Sequence, residues 1–258
     1  MHSATCRDET SDTRSRFSLA VRASAHPMHL ASPCDTCQAR EFSACASLTG
    51  EEQKRLAAIM RTINVEPHRP IFDEADPAEY VYTITVGAVK VYKLLGDGRR
   101  QITGFLFAGD FLGLTHNEVY AYSAEALVPA RLCRFPRRRL EALLAEIPHL
   151  EERLLAMASH ELAAAQDQMM LLGRKSARER VVSFILMLFN SATRHGGPGN
   201  PVFLAMSRGD IADYLGLTTE TVSRTVTLLK KQGLVELLDD RRIRLANMSA
   251  LREIAEGF

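Results

Sequence analysis

The chain has 258 residues, 46% hydrophobic and 24% charged, which excludes a disordered polymer and leaves enough apolar side chain for a substantial core and two domains. Its formal net charge is +1, so any nucleic-acid site has to be built locally rather than from a global basic field. No apolar run approaches the roughly 20 residues of a membrane span and the N-terminus has no signal-peptide core. The expected setting is therefore cytoplasmic, with no membrane partner.

Residues 1–33 are rich in Ser, Thr, Arg and Asp without periodicity and read as a flexible tail; Cys6, with no ligand type beside it, reads as a spare thiol. Three cysteines then fall within twelve residues, Cys34, Cys37 and Cys45, and one more, Cys133, lies far downstream. Cytoplasmic thiols are kept reduced and the total of five is odd, so the group reads as metal ligands or redox thiols rather than a disulfide framework. Four thiolates suit Zn(II) and an iron-sulfur cluster equally by softness. Zinc usually draws on two tight C-x2-C pairs, whereas this set is C-x2-C-x7-C plus a distant partner, and spacing alone leaves the metal open. A thiol-redox enzyme would need C-x-x-C at a helix start in a βαβ setting, which Pro33 to Cys37 lacks. No nucleophile-base constellation or phosphate loop occurs either, so no enzyme is expected.

Thr49-Gly50-Glu51-Glu52 fits a capping box that opens a helix. From about Ile71 to Phe135 short β-branched and aromatic runs alternate with turn signals: 80–86 broken by Gly87, 89–94 before Gly96-Asp97-Gly98, 101–107 before Gly109-Asp110, and 124–135, which contains Cys133. That spacing predicts a small antiparallel barrel or sandwich. His116, alone in a loop, reads as solvated rather than as a haem ligand.

After Pro136 the period becomes helical. Leu155, Ala158, Leu162, Ala165, Met169 and Leu172 follow a 3-4-3-4-3 spacing, a heptad seam. Residues beside it, among them Leu154, Met157 and Met170, are also apolar. Such a helix can cover its own barrel with one face and a partner with the other, so a parallel dimer helix is expected. A second helix spans 177–192. Ser207 caps a short helix to Leu215, Gly216 turns the chain, Thr218 caps another helix to Gln232, and 234–238 with 242–245 form a hairpin: a winged helix-turn-helix. In its second helix Glu220, Ser223 and Arg224 share the face near the N-terminus, the end that meets base edges. Arg224 can clamp guanine O6 and N7, Glu220 can accept from cytosine N4 and Ser223 can serve either, which points to a GC pair in each half-site. A plain i,i+4 surface ion pair between Glu220 and Arg224 is the simpler alternative.

The run Ser207-Arg208-Gly209-Asp210-Ile211-Ala212-Asp213-Tyr214-Leu215-Gly216-Leu217-Thr218-Thr219-Glu220-Thr221-Val222-Ser223-Arg224 resembles the DNA-reading segment of the CRP/FNR transcription regulators. Their FNR branch has Glu, Ser and Arg at these three reading positions. Gln101-Ile102-Thr103-Gly104-Phe105, Ala108-Gly109-Asp110 and the Ile147-Pro148 helix entry resemble the same branch. Covering residues 34–245, the resemblance implies an α+β fold: an N-terminal β-roll of the cyclic-nucleotide-binding type as sensor, a long dimerisation helix and a C-terminal winged helix-turn-helix. The expected division is tail 1–33, cysteine segment plus β-roll 34–147, dimer helix 148–175 and DNA-binding domain 176–258.

The resemblance further implies an oxygen-labile [4Fe-4S] cluster on Cys34, Cys37, Cys45 and Cys133, with the x7 spacing similar to FnrN and FixK-like relatives. It also implies homodimeric binding to a TTGAT-type inverted repeat in double-stranded DNA and recruitment of RNA polymerase. The CRP branch binds cyclic AMP with an Arg just after a Gly-Glu turn. Here the turn is Gly109-Asp110 and no Arg or Lys stands between it and Arg131, so no cyclic nucleotide is expected. A zinc-stabilised regulator without redox sensing is the alternative.

Overall fold

The computed structural model describes residues 33–257. The tail expected for the first residues and the role of Cys6 lie outside the described residues. After the cysteine segment, α1 (Gly50–Ile59) starts on the expected box: Thr49 Oγ1 accepts from Glu52 N, and the Glu52 carboxylate accepts from Thr49 N at 2.9 Å. Eight strands follow: β1 (Arg61–Val65), β2 (Pro70–Phe72), β3 (Tyr80–Val86), β4 (Ala88–Leu94), β5 (Arg100–Phe107), β6 (Phe111–Leu112), β7 (Ser123–Ala126) and β8 (Ala130–Pro136). They form two four-stranded sheets of antiparallel pairs, ordered β1-β8-β3-β6 and β2-β7-β4-β5. The two inner faces close on a core of Ile84, Val89, Leu106, Leu112 and Leu132, with Phe72 stacked on Tyr120 at 3.7 Å between ring centroids.

Two differences from the sequence reading have plain causes. The first strand begins ahead of Ile71, because β1 is an edge strand whose polar, half-exposed residues carry no hydrophobic alternation. The apolar run 124–135 is two strands rather than one: Leu127-Val128-Pro129 interrupts it, since Pro has no N–H for a ladder.

Helix α2 (Arg137–Leu144) leads to the long α3 (Pro148–Arg174), which Pro148 opens at its first turn. Leu140, Leu143, Ile147, Leu150 and Leu154 pack with Leu56, Val81 and Phe135 into a second apolar cluster on the outer face of the β1-β8-β3-β6 sheet. The winged-helix unit comprises α4 (Ala177–Arg194), β9 (Val202–Phe203), α5 (Arg208–Leu215), α6 (Thr219–Lys231), β10 (Val235–Leu237), β11 (Arg242–Leu245) and α7 (Met248–Glu256). Gly216, at φ 61°, ends α5 in the left-handed conformation and makes the turn into α6, as its position in the sequence implies. The core of this unit is continuous with the roll: Ala88, Ile102, Phe105 and Leu127 pack with Phe184, Ile185, Leu188 and Leu215.

Candidate thiol site and nucleic-acid interface

Cys34 and Cys37 occupy one turn, with Cys37 N donating to Cys34 O at 3.4 Å, and Gln53 of α1 donates its side-chain amide to Cys34 O. The seven residues to Cys45 wind into two short 3-10 turns, Arg40–Phe42 and Ala44–Ser47. Ser43 joins them: its buried hydroxyl donates to Arg40 O at 3.0 Å and accepts from Cys45 N at 3.2 Å. Cys133 lies in the middle of β8, registered against Thr62 and Thr83. Strand alternation sends Leu132 into the roll and Cys133, with Phe135, to the outer face, where Cys45 and Cys133 border the same apolar cluster under α2 and the start of α3.

All four thiols are partly buried. Burial pushes the Cys133 thiol up to about 12, and the neighbouring Cys34, Cys37 and Cys45 add to the rise. Cys45 is raised too, first by burial; the Ser43 hydroxyl opposes the shift and Cys34 and Cys37 reinforce it. The loop that carries Cys34, Cys37 and Cys45 thus lies within electrostatic reach of Cys133 on β8. Among the described residues no three His, Cys, Asp or Glu side chains close around a single point as one metal ion requires. His116 is exposed in the loop after β6.

In α6, Glu220, Ser223 and Arg224 are all exposed on one face, and Arg224 pairs with Glu220 across one turn. The i,i+4 ion pair is thus present in the chain without DNA. Both side chains are largely solvated, so the pair is worth little. Thr218 Oγ1 caps the helix by accepting from Thr221 N at 3.1 Å, while Val222, Val226 and Leu229 anchor the opposite face in the core.

The seam residues Leu155, Ala158, Leu162, Ala165 and Met169 face solvent, with Leu162 60% and Met169 66% exposed. Leu172 is half-buried against the winged-helix core and belongs as much to its own chain as to the seam. Of the flanking residues, Leu154 and Met157, with Leu150, meet the roll, while Met170 is exposed like the seam.

The sequence reading missed two polar joints. Lys90 of β4 is buried with its ammonium 2.9 Å from Glu125 and 3.0 Å from Asp210 of α5. Arg100 of β5 adds bonds to Asp210 and Asp213 at 3.1 and 2.9 Å. Burial alone would raise the Asp210 carboxyl, but bonds from Ser207 and Lys90 outweigh it and hold the group below the usual carboxylate range. Asp210 thereby closes the capping box of α5 and ties that helix to the roll. The second joint is Arg180 of α4, which donates to Lys175 O, Leu172 O and Leu215 O at 2.8, 2.8 and 3.0 Å and so links the ends of α3 and α5.

Residues 179–254 match the Crp-like helix-turn-helix domain family and residues 62–147 match the cyclic nucleotide-binding domain family. The chain is 42% identical over 237 residues to the nitrogen fixation regulation protein FixK of Azorhizobium caulinodans, across 92% of this chain and 94% of that one. It is 33% identical over 226 residues to the transcriptional activator protein FnrL of Cereibacter sphaeroides, across 86% and 91%. The solved structure of FixK2 from Bradyrhizobium japonicum is similar with a TM-score of 0.71 at 39% identity, covering 76% of this chain and 97% of that one.

Proposed function

The chain belongs to the FNR branch of the CRP/FNR family of transcription regulators, and from that premise we propose that it is an oxygen-responsive activator working as a homodimer. In this reading it binds a TTGAT-type inverted repeat when Cys34, Cys37, Cys45 and Cys133 hold a [4Fe-4S] cluster. A DNA-binding regulator is what the family membership itself establishes. The observation that supports the finer reading is that Cys45, from the loop, and Cys133, from β8, border one apolar cluster at the outer face against which α3 begins, with Cys34 and Cys37 in the same loop as Cys45.

The donor set fits the group. Four soft sulfurs provide one ligand for each iron, and an oxygen-labile cluster supplies the sensitivity to air when bound. Cys45 and Cys133, whose thiols are raised by burial, would have to give up their protons to hold the group. One group held by all four thiols would tie the Cys34–Cys45 segment to β8. Ala44, Cys45, Leu150 and Leu154 line one common small cavity there, so a shift of the segment is felt at the first turns of α3. The exposed seam of α3 supplies the partner face, and two copies of α6 then present Glu220, Ser223 and Arg224 to successive major grooves. Bound dimer recruits RNA polymerase. Cyclic nucleotide has no part in this reading: no Arg or Lys follows the Gly109-Asp110 turn before Arg131, and Phe72, Tyr82 and Tyr120 fill the roll interior.

Anaerobic reconstitution tests it. The expected result is about four irons per chain, with visible absorbance that bleaches in air and specific DNA binding that is lost with it. Cys34→Ser abolishes iron uptake and Cys6→Ser leaves it intact. One tightly bound zinc after aerobic purification, with no iron uptake, overturns the sensor and leaves a zinc-stabilised regulator.

A further inference from the structure

Phe42 stands in the middle of the spacer between Cys37 and Cys45, yet its side chain belongs to no part of the thiol site. It lies against two glycines from different parts of the fold. At Gly109, φ 100°, in the turn after β5, an added Cβ would meet Phe42 Cβ at 2.9 Å; at Gly196, φ 72°, just past α4, an added Cβ would meet Phe42 Cζ at 3.2 Å. Both positions need glycine twice over, for the backbone angle and for the closeness of the ring. Phe42 also meets the His195 ring edge-on, at 5.5 Å between centroids and 69° between planes. His195 in turn donates from Nδ1 to Ser191 O at 2.6 Å, fixing the imidazole to the last turn of α4.

We propose that the seven-residue spacer is a contact arm, in which Phe42 couples the thiol site to the winged-helix unit by seating between the Gly109 turn of the roll and His195-Gly196 at the end of α4. Phe42 is a positioning residue. The next residue, Ser43, holds Cys45 N and Arg40 O at once, so a displacement of Cys45 is transmitted to Phe42 through one hydrogen bond and one peptide unit. Helix α4 packs directly on α6 and α7, so a displacement at its C-terminal end reaches the reading helix through packed side chains. The second 3-10 turn, which contains Cys45, begins only after the chain has carried Phe42 to the Gly109 turn and to Gly196. That the arm reports cluster occupancy rests on the thiol-site reading above; that it touches α4 does not.

The test uses the full chain with Phe42→Ala and, as partial rescue, Phe42→Leu. In the metal-free, reduced protein, hydrogen–deuterium exchange of residues 191–200 should speed up about three- to tenfold in Phe42→Ala, as removal of one edge-on aromatic interaction implies, with Phe42→Leu between. In the reconstituted protein Phe42→Ala should hold as much iron as wild type while the ratio of DNA affinities, loaded over metal-free, falls toward one. Unchanged exchange of 191–200 in Phe42→Ala overturns the arm. So does a wild type that loads iron but shows the same exchange there with and without it, or a Phe42→Ala variant that keeps the full affinity ratio. Failure of wild type to take up iron removes the cluster reading instead, and the arm then stands or falls on the metal-free comparison.

Discussion

Lys90 and Asp210 form an ion pair at 3.0 Å between side chains only 3% and 5% exposed, 120 positions apart in the chain. A strand lysine with alternating neighbours ought to face water; this one is covered because the winged-helix unit is laid over it. Removing one member of a buried pair strands the other, so Lys90→Met should cost about 3 to 5 kcal/mol in urea unfolding. Because the Asp210 carboxyl is held below its ordinary value near 3.8, its contribution is complete above that pH and is lost as the pH falls through the folded value. Acid titration of Lys90→Met should show a shallower loss of stability in that range than wild type.

Arg224 offers the opposite case. Its partner Glu220 is already exposed, so Arg224→Ala should leave the unfolding midpoint unchanged. Fluorescence anisotropy on operator variants should show a loss of about 1 to 3 kcal/mol confined to the GC pair of each half-site. Uniform weakening on every sequence would mean that Arg224 touches phosphate only.

The seam on α3 separates stability from association. Leu162 is largely exposed in the monomer, so Leu162→Glu should change chain stability by less than about 0.5 kcal/mol. Two glutamates facing each other across a dimer would repel, and sedimentation should show monomer. Ala165 places no like charge on the wild-type seam, and metal-free wild type should dimerise appreciably at high concentration.

Asp110 predicts a gain in stability on substitution. Burial pushes its carboxyl up; the Phe107 N–H at 2.7 Å and the nearby His195, Arg194 and His160 only partly offset this, and the neighbouring Glu161 is raised as well. An amide oxygen accepts from Phe107 equally well, so Asp110→Asn should raise the Tm at neutral pH. With the folded pKa above the unfolded one, the charge is a penalty at neutral pH that disappears as the pH falls and the carboxyl takes up its proton. The Tm difference should therefore shrink with acidification.

Local signals in the sequence were legible wherever a backbone requirement forces a residue type: the box at Thr49, the caps at Ser207 and Thr218 and the Gly216 turn. Cys45 and Cys133 stood out in the sequence because thiols are scarce, and both border the apolar cluster under α2 and the start of α3. What escaped was long-range. The burial of Lys90, the second role of Asp210 beyond its cap and the seat of Phe42 each depend on a surface contributed by a distant segment, and nothing in the local pattern around them differs from an ordinary strand, helix start or loop. Helix α7 was also not read from the sequence, although Met248, Leu251, Ile254 and Ala255 recur at helical spacing and pack on the winged-helix core.

Arg180 does more than satisfy three carbonyls. By holding Leu172 O at the end of α3 and Leu215 O at the end of α5, it fixes the angle between the helix that would carry the two-fold axis and the helix that leads into α6. In a dimer built on α3, the distance between the two reading helices is set at that corner, twice over by symmetry. The chain would then carry its own ruler for operator spacing, graduated by a guanidinium turned inward on its own backbone.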